Sequence, residues 1–140
     1  MTNNENKLRI DKEYVVPGSL DEVWGCLADD NVSSVWQSQD CVIGNKVGEK
    51  LELFGGWVVG EILSLKPKTE ISHTWKVSEW GPEIQPSIVS YQLEKIDEKN
   101  TKITLKHWDL PTIKERDSHD TGWDEQFFGP MFEFLKLTSG

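Results

Sequence analysis

Residues 70–78, EISHTWKVS, alternate without a break: Ile71, His73, Trp75 and Val77 fall on one side, Ser72, Thr74, Lys76 and Ser78 on the other. A period of two is the signature of a strand with one face packed and one face wet. Such a strand needs partners, and the chain supplies them nearby. IVSYQLEKI turns Val89, Tyr91 and Leu93 inward; DEKN at 97–100 is a tight hairpin connection; TKITLKHWD returns with Ile103, Leu105 and His107 together. Upstream, GWVVGEILSLKP reads as a strand with Trp57, Val59, Leu63 and Leu65 in register and Glu61 on the same side, closed by Pro67. Near the start, KLRIDKEYVV places Leu8, Ile10, Tyr14 and Val16 on one side, with Lys12 alone breaking the pattern, and Pro17-Gly18 ends it. Strands joined by short loops in this way form an antiparallel meander with one packed side.

Little else is available to cover that side. Ser19 with Glu22 forms a capping box, and Leu20, Val23, Trp24 and Leu27 then recur at helical spacing; after 29–31, Val32, Val35 and Trp36 indicate a second short helix. Residues 38–48 and 79–87 read as loops, and EKLELF as a short strand. The last stretch, HDTGWDEQFFGPMFEFLK, predicts the long helix, over 123–137. Trp123, Phe127, Met131, Phe134 and Leu135 share one side, widened by Phe128 and Phe132 to about half the circumference. Thr121 and Asp124 match a capping box, and Asp120 and Glu125 suit a helix N-terminus, so residues 109–120 read as polar loop. Gly129-Pro130 in mid-helix predicts a bend that lets the helix follow a curved sheet. The fold class is therefore α+β: a curved antiparallel sheet wrapped on one long C-terminal helix, with two short helices after the first strand.

The 140 residues suit a single domain, placed at 7–138 after a disordered polar tail at 1–6. A net charge of −9 argues against nucleic acid and anionic membranes as partners. Cys26 and Cys41 have no metal-ligand or disulfide spacing, and no long apolar run occurs, so a soluble cytoplasmic protein is expected. No cofactor or metal is implied; His73, His107 and His119 lack the spacing of a zinc site.

Glu61, His73 and His107 point inward on this reading, as does Tyr91. Buried groups of this kind must be paired, hydrated or neutralised. They can form core pairs, with Glu61 and His73 meeting across the sheet. They can also orient the polar end of a ligand, or move a proton. Trp57, Trp75, Trp123, Phe127 and Met131 complete the candidate pocket lining; no residue is assigned a catalytic role. Trp80, in a Gly-Pro loop, and Trp108, facing outward, suit a cavity mouth or a subunit contact, as in a homodimer.

Several of these segments together resemble one family. VVPGSLDEVWGCLAD is similar to the strand-to-helix opening of the START-like (SRPBCC, helix-grip) superfamily, and DNVSSVW to its second short helix. GEILSLKPKTEISHTW, VSYQLEKIDEKNTKITLKHWDLP and GWDEQFFGPMFEFLK resemble the middle strands, last hairpin and closing helix of the heat-shock protein 90 ATPase activator-like branch. The resemblance implies a helix-grip fold with a hydrophobic pocket between sheet and helix for a small apolar or amphipathic molecule. Some superfamily relatives are cyclases or hydrolases, and some members of this branch contact the chaperone.

Overall fold

The computed structural model describes residues 8–138. The tail expected at 1–6 lies outside them, as does the expected domain's first residue. In chain order the elements are β1 (Ile10–Val16), α1 (Leu20–Ala28), α2 (Asp30–Gln37), β2 (Val42–Ile43), β3 (Lys50–Leu53), a 3₁₀ turn (Phe54–Gly56), β4 (Val58–Lys66), β5 (Glu70–Val77), β6 (Ser87–Asp97) and β7 (Asn100–Trp108). A helix in three parts closes the chain: α3 (Ile113–Gly122), a π-helical turn (Trp123–Phe128) and α4 (Gly129–Thr138).

The strands form one seven-stranded sheet in the order β1-β7-β6-β5-β4-β3-β2, antiparallel throughout. The expected α+β architecture is present: the sheet's inner face packs on the C-terminal helix, and α1 and α2 cover the remaining flank. Ile71, Val89, Tyr91, Ile103 and Leu105 of the sheet are buried with Phe127, Phe128, Met131 and Leu135 of the helix. Ser19 and Glu22 form the capping box at the start of α1. Asp29 caps α2, its carboxylate accepting from the Asn31 and Val32 amides. The Cys26 carbonyl near the end of α1 accepts from Ser33 Oγ (2.7 Å) and Trp36 Nε1 (2.9 Å), so a carbonyl that helix ends tend to strand is satisfied from α2.

Residues 38–48, read as loop, contain the short strand β2. Two further expectations fail, and both bear on the site. The first is the face of β4. Val58 and Ile62 point inward, while Val59, Glu61 and Leu63 are exposed, and Trp57 lies outside the strand with 40% of its surface exposed. The segment carries apolar residues in both phases, and an irregularity between Ile62 and Ser64 changes phase midway, bringing Leu65 back against the core. Counting apolar residues selects the wrong phase when a bulge divides the strand.

The second is the start of the long helix. It begins ten residues before Trp123, at Ile113, and Thr112 caps it, accepting from the Glu115 amide at 3.0 Å. Thr121 and Asp124 therefore lie inside the helix and form no cap. The acidic groups there dock β1: Tyr14 donates its hydroxyl to Asp124 Oδ1 (2.6 Å), and Lys12 Nζ reaches Asp124 (3.1 Å) and the Asp120 carbonyl (2.7 Å). Lys12, the residue that breaks the β1 pattern, is thus on the helix side for a reason. Tyr14 also stacks on Phe128, ring centres 4.0 Å apart.

The irregularity at Gly129-Pro130 takes the form of the π-turn. Pro130 has no N–H, and its ring would collide with the Gln126 carbonyl in a regular turn. The helix widens there, and the Gly129 amide donates to Asp124 O, five residues back. The widened turn also sets the buried face. His119, Trp123, Phe127, Met131 and Leu135 are buried at a constant spacing of four. In an uninterrupted α-helix each such step rotates by about 40°, about 160° over four steps. A turn that absorbs one extra residue removes about 100° of this, so the stripe keeps facing the sheet.

A Cβ on Gly129 would lie 2.7 Å from the Asp124 carbonyl oxygen, whereas one on Gly25 in α1 meets nothing within 4 Å. Gly129→Ala should therefore lose about 1–3 kcal/mol of stability through forced backbone adjustment. Gly25→Ala should gain about 0.5–1 kcal/mol from helix propensity. Urea unfolding of both variants measures the opposite signs.

Candidate functional site

The alternation of β5 places Trp75 and Val77 on the inner face at the end of the strand. The following loop folds back over them. Lys76, on the other face, fastens it by donating from Nζ to the carbonyls of Gly81 (2.9 Å) and Ile84. That arrangement buries Trp80, whose indole N–H is the one buried side-chain polar atom without a hydrogen-bond partner among the described residues. From the opposite side the 3₁₀ turn presents Phe54, held in the left-handed backbone region at φ +52°, with its amide donating to Gln37 Oε1 at 3.0 Å. Trp57 follows and donates its indole N–H to Glu79 at 2.7 Å.

The helix forms the third wall. Glu115, Ser118 and His119 come from α3, and Trp123, Glu125, Gln126 and Phe127 from the π-turn. Together these walls enclose a cleft of about 550 Å³. Of the nine residues proposed from the sequence, Trp57, Trp75, Trp123 and Phe127 line it. His73 and Tyr91 lie beyond Phe127, beside a second void of about 10 Å³, the size of one water molecule. His107 is buried behind Trp75 and Trp123, and Met131 is packed in the core from the inner side of α4.

Glu61 corrects the sequence reading: it faces solvent on β4. Ile62 is opposite His73 in register, so no Glu61–His73 pair exists. Trp80, Glu115 and His119 are the main additions. Trp80, which the sequence suits to a cavity mouth or a subunit contact, lines the cleft. The other two were hidden because α3 has no apolar stripe and reads as loop; the Thr112-x-x-Glu115 spacing after Pro111 was the available signal for its start.

The three histidines are held in defined tautomers. Backbone carbonyls only accept, so His73 donates from Nδ1 to Thr74 O (2.8 Å) and its Nε2 accepts from the Tyr91 hydroxyl (3.0 Å). His107 Nδ1 accepts from Trp123 Nε1 (3.1 Å). Its Nε2 then donates to Ser87 Oγ (2.7 Å), whose hydroxyl in turn donates a hydrogen bond to the Trp75 carbonyl. His119 donates from Nδ1 to Glu115 O (2.8 Å) and accepts at Nε2 from Trp75 Nε1 (3.1 Å). Burial pushes all three imidazoles below their ordinary range, His73 to about 4. At His119 the Glu115 carbonyl bond and charge oppose that effect, and at His107 the other two imidazoles add to it. Every ring lone pair already accepts a hydrogen bond, so none is free to take a substrate's proton. The arrangement builds a rigid neutral wall. No group of three or more His, Cys, Asp or Glu side chains among the described residues is placed to hold a metal ion.

Neutral buried histidines make stability depend on pH. The unfolded chain binds the His73 proton below about 6.5 and the folded chain only near 4, so stability is full above pH 6.5 and falls as the pH drops towards 4. For His73 alone the loss is on the order of 3 kcal/mol. The shape-matched pair His73→Leu with Tyr91→Phe should flatten the slope of urea-unfolding free energy across that window, whatever its stability at neutral pH.

Residues 18–133 match the family described as Activator of Hsp90 ATPase homolog 1-like protein. Among curated proteins, the chain is similar to Hsp90 co-chaperone AHA1 of Saccharomyces cerevisiae, 28% identical over 66% of this chain and 25% of the yeast protein. It is also similar to the activator of 90 kDa heat shock protein ATPase homolog of Dictyostelium discoideum, 23% identical over 66% of this chain and 24% of that one. The chain thus spans about a quarter of the length of these relatives. Among solved structures, an HSP90 activator from Plasmodium falciparum superposes with a TM-score of 0.83 at 20% identity, covering 92% of this chain and 96% of that one. The Aha1 dimer from Colwellia psychrerythraea superposes with a TM-score of 0.75 at 20% identity, covering 94% and 98%. At such identities the superpositions establish the helix-grip fold. With 116 of its residues matched, the chain belongs to the Activator of Hsp90 ATPase homolog 1-like protein family.

Proposed function

We propose that this domain holds a small apolar or amphipathic molecule between the sheet and the C-terminal helix. The observation that carries the reading is the cleft of about 550 Å³ walled by Phe54, Trp57, Trp75, Trp80, Trp123 and Phe127. That volume lies within the usual range for small-molecule sites, which are largely aromatic with a few polar groups to set orientation. The imidazole network supports it by fixing the Trp75 and Trp123 indoles through hydrogen bonds: a preformed wall spares the ligand the cost of ordering it.

A second reading has a separate basis. The curated relatives are named as activators or co-chaperones of Hsp90, and the chain shares their family. On this reading the domain contacts the chaperone, and addition of the purified full-length chain raises the chaperone's ATPase rate. The Colwellia relative is described as a dimer, and sedimentation at several concentrations tests the same state for this chain.

Ser118 is exposed and lines the cleft; Asp117 beside it is exposed and does not. Ser118→Trp should displace any compound that co-purifies, or weaken binding of an added one at least tenfold, whereas Asp117→Trp should change binding less than twofold. Native mass spectrometry of the three proteins reads the bound mass directly. Equal retention by both variants would remove the cleft as the binding site.

A further inference from the structure

The cleft has an unusual charge pattern for an aromatic pocket. Its lining includes three carboxylates, Glu79, Glu115 and Glu125, and no lysine or arginine among the described residues. The imidazole in its wall, His119, is neutral, both nitrogens engaged by Trp75 and the Glu115 carbonyl. Of the nearby cations, Lys76 fastens the loop from outside, Lys12 pairs with Asp120 and Asp124 on the β1 side of the helix, and Arg116 donates to the Arg9 carbonyl; Lys114, beside Glu115, is exposed and does not line the cleft. The chain as a whole carries a net charge of −9.

Two of the carboxylates stand beside aromatic rings. Glu79 accepts the indole N–H of Trp57, which fixes the carboxylate to the edge of that ring. Glu115 Oε1 lies 3.6 Å from His119 Nδ1, and the His119 ring is near-parallel to Trp57, with centres 6.3 Å apart. Trp80, the buried wall residue with an unpartnered indole N–H, lies with its centre 6.0 Å from the same imidazole. Aromatic faces attract cations through their quadrupole, and carboxylates at the rim of such a box add attraction and repel anions. A fatty-acid or phosphate head would meet three like charges, with no cationic side chain in the lining to offset them.

We propose, building on the small-molecule reading above, that the ligand of this cleft is an organic cation: an alkyl or aryl body carrying a quaternary ammonium or protonated amine. The apolar body packs on Trp75, Trp123 and Phe127, and the cationic head sits towards Trp57, Trp80 and the three carboxylates.

The test is isothermal titration of the full chain with three probes of matched length, each kept below micelle formation: decyltrimethylammonium, 1-decanol and decanoate. The cation should bind about tenfold more tightly than the alcohol, the sum of a cation–π contact and partly exposed ion pairs. Decanoate should bind most weakly. The cation's advantage should shrink with added salt. It should fall to within about twofold in the variant carrying Glu79→Gln, Glu115→Gln and Glu125→Gln, whose changes are all at exposed or half-exposed positions that keep hydrogen-bonding atoms in place. Binding of the alcohol or decanoate as tight as the cation, or an unchanged advantage in the triple variant, would overturn the charge assignment and leave the pocket standing. Absence of binding by all three would overturn the small-molecule reading and the inference together.

Discussion

The fold turns on a proline that has no N–H to give. Pro130 lies in the middle of the helix that the sheet must grip, where a regular turn would lose a hydrogen bond and drive the ring into a carbonyl. The π-turn from Trp123 to Phe128 resolves this by widening, with Gly129 reaching back to Asp124 and offering no Cβ to obstruct it. The consequences reach further than the backbone. The rotation absorbed there keeps His119 and Trp123 on the same face as Phe127, Met131 and Leu135, so one helix can supply both the packed core at its C-terminal half and the cleft wall at its N-terminal half. The Tyr14 and Lys12 contacts to Asp124 hold β1 against the π-turn itself.

Around that turn, polar groups are used to make an uncharged surface. Three tryptophan and tyrosine donors and three carbonyl or hydroxyl acceptors saturate three imidazoles. Burial of unpaired imidazole would be costly; paired in this way each ring is neutral and fixed in orientation, with His119 in the cleft wall and His73 and His107 in the packing behind it. The charge in the neighbourhood is left to carboxylates at the cleft's rim.

Much of this was legible in the chain. The strict alternation of residues 70–78 and of 100–108 identified the inward faces of β5 and β7, and with them His73, Trp75 and His107. The capping box at Ser19 located α1. Two features were not legible for physical reasons. In β4 apolar residues occupy both faces, and the phase is decided by a bulge that only pairing with β5 reveals. In α3 the helix is polar almost throughout, because it lies at the rim of a cleft and buries only His119. A helix that packs so little of itself gives no periodic signal. Of the residues read as pocket lining, Trp57, Trp75, Trp123 and Phe127 stand at the cleft; its carboxylates come from three places, Glu79 from a loop, Glu125 from the π-turn and Glu115 from that unread helix.

The seven tryptophans allow the central claim, that the cleft is where a ligand goes, to be tested in one spectrum. Trp57, Trp75, Trp80 and Trp123 line it, and Trp24, Trp36 and Trp108 do not. The measurement is a ¹H–¹⁵N correlation spectrum of the indole N–H signals as decyltrimethylammonium is added. The first four signals should move together along one saturable curve while the other three stay in place. Saturable shifts confined to Trp24, Trp36 or Trp108, or no shift in any of the seven, would contradict it.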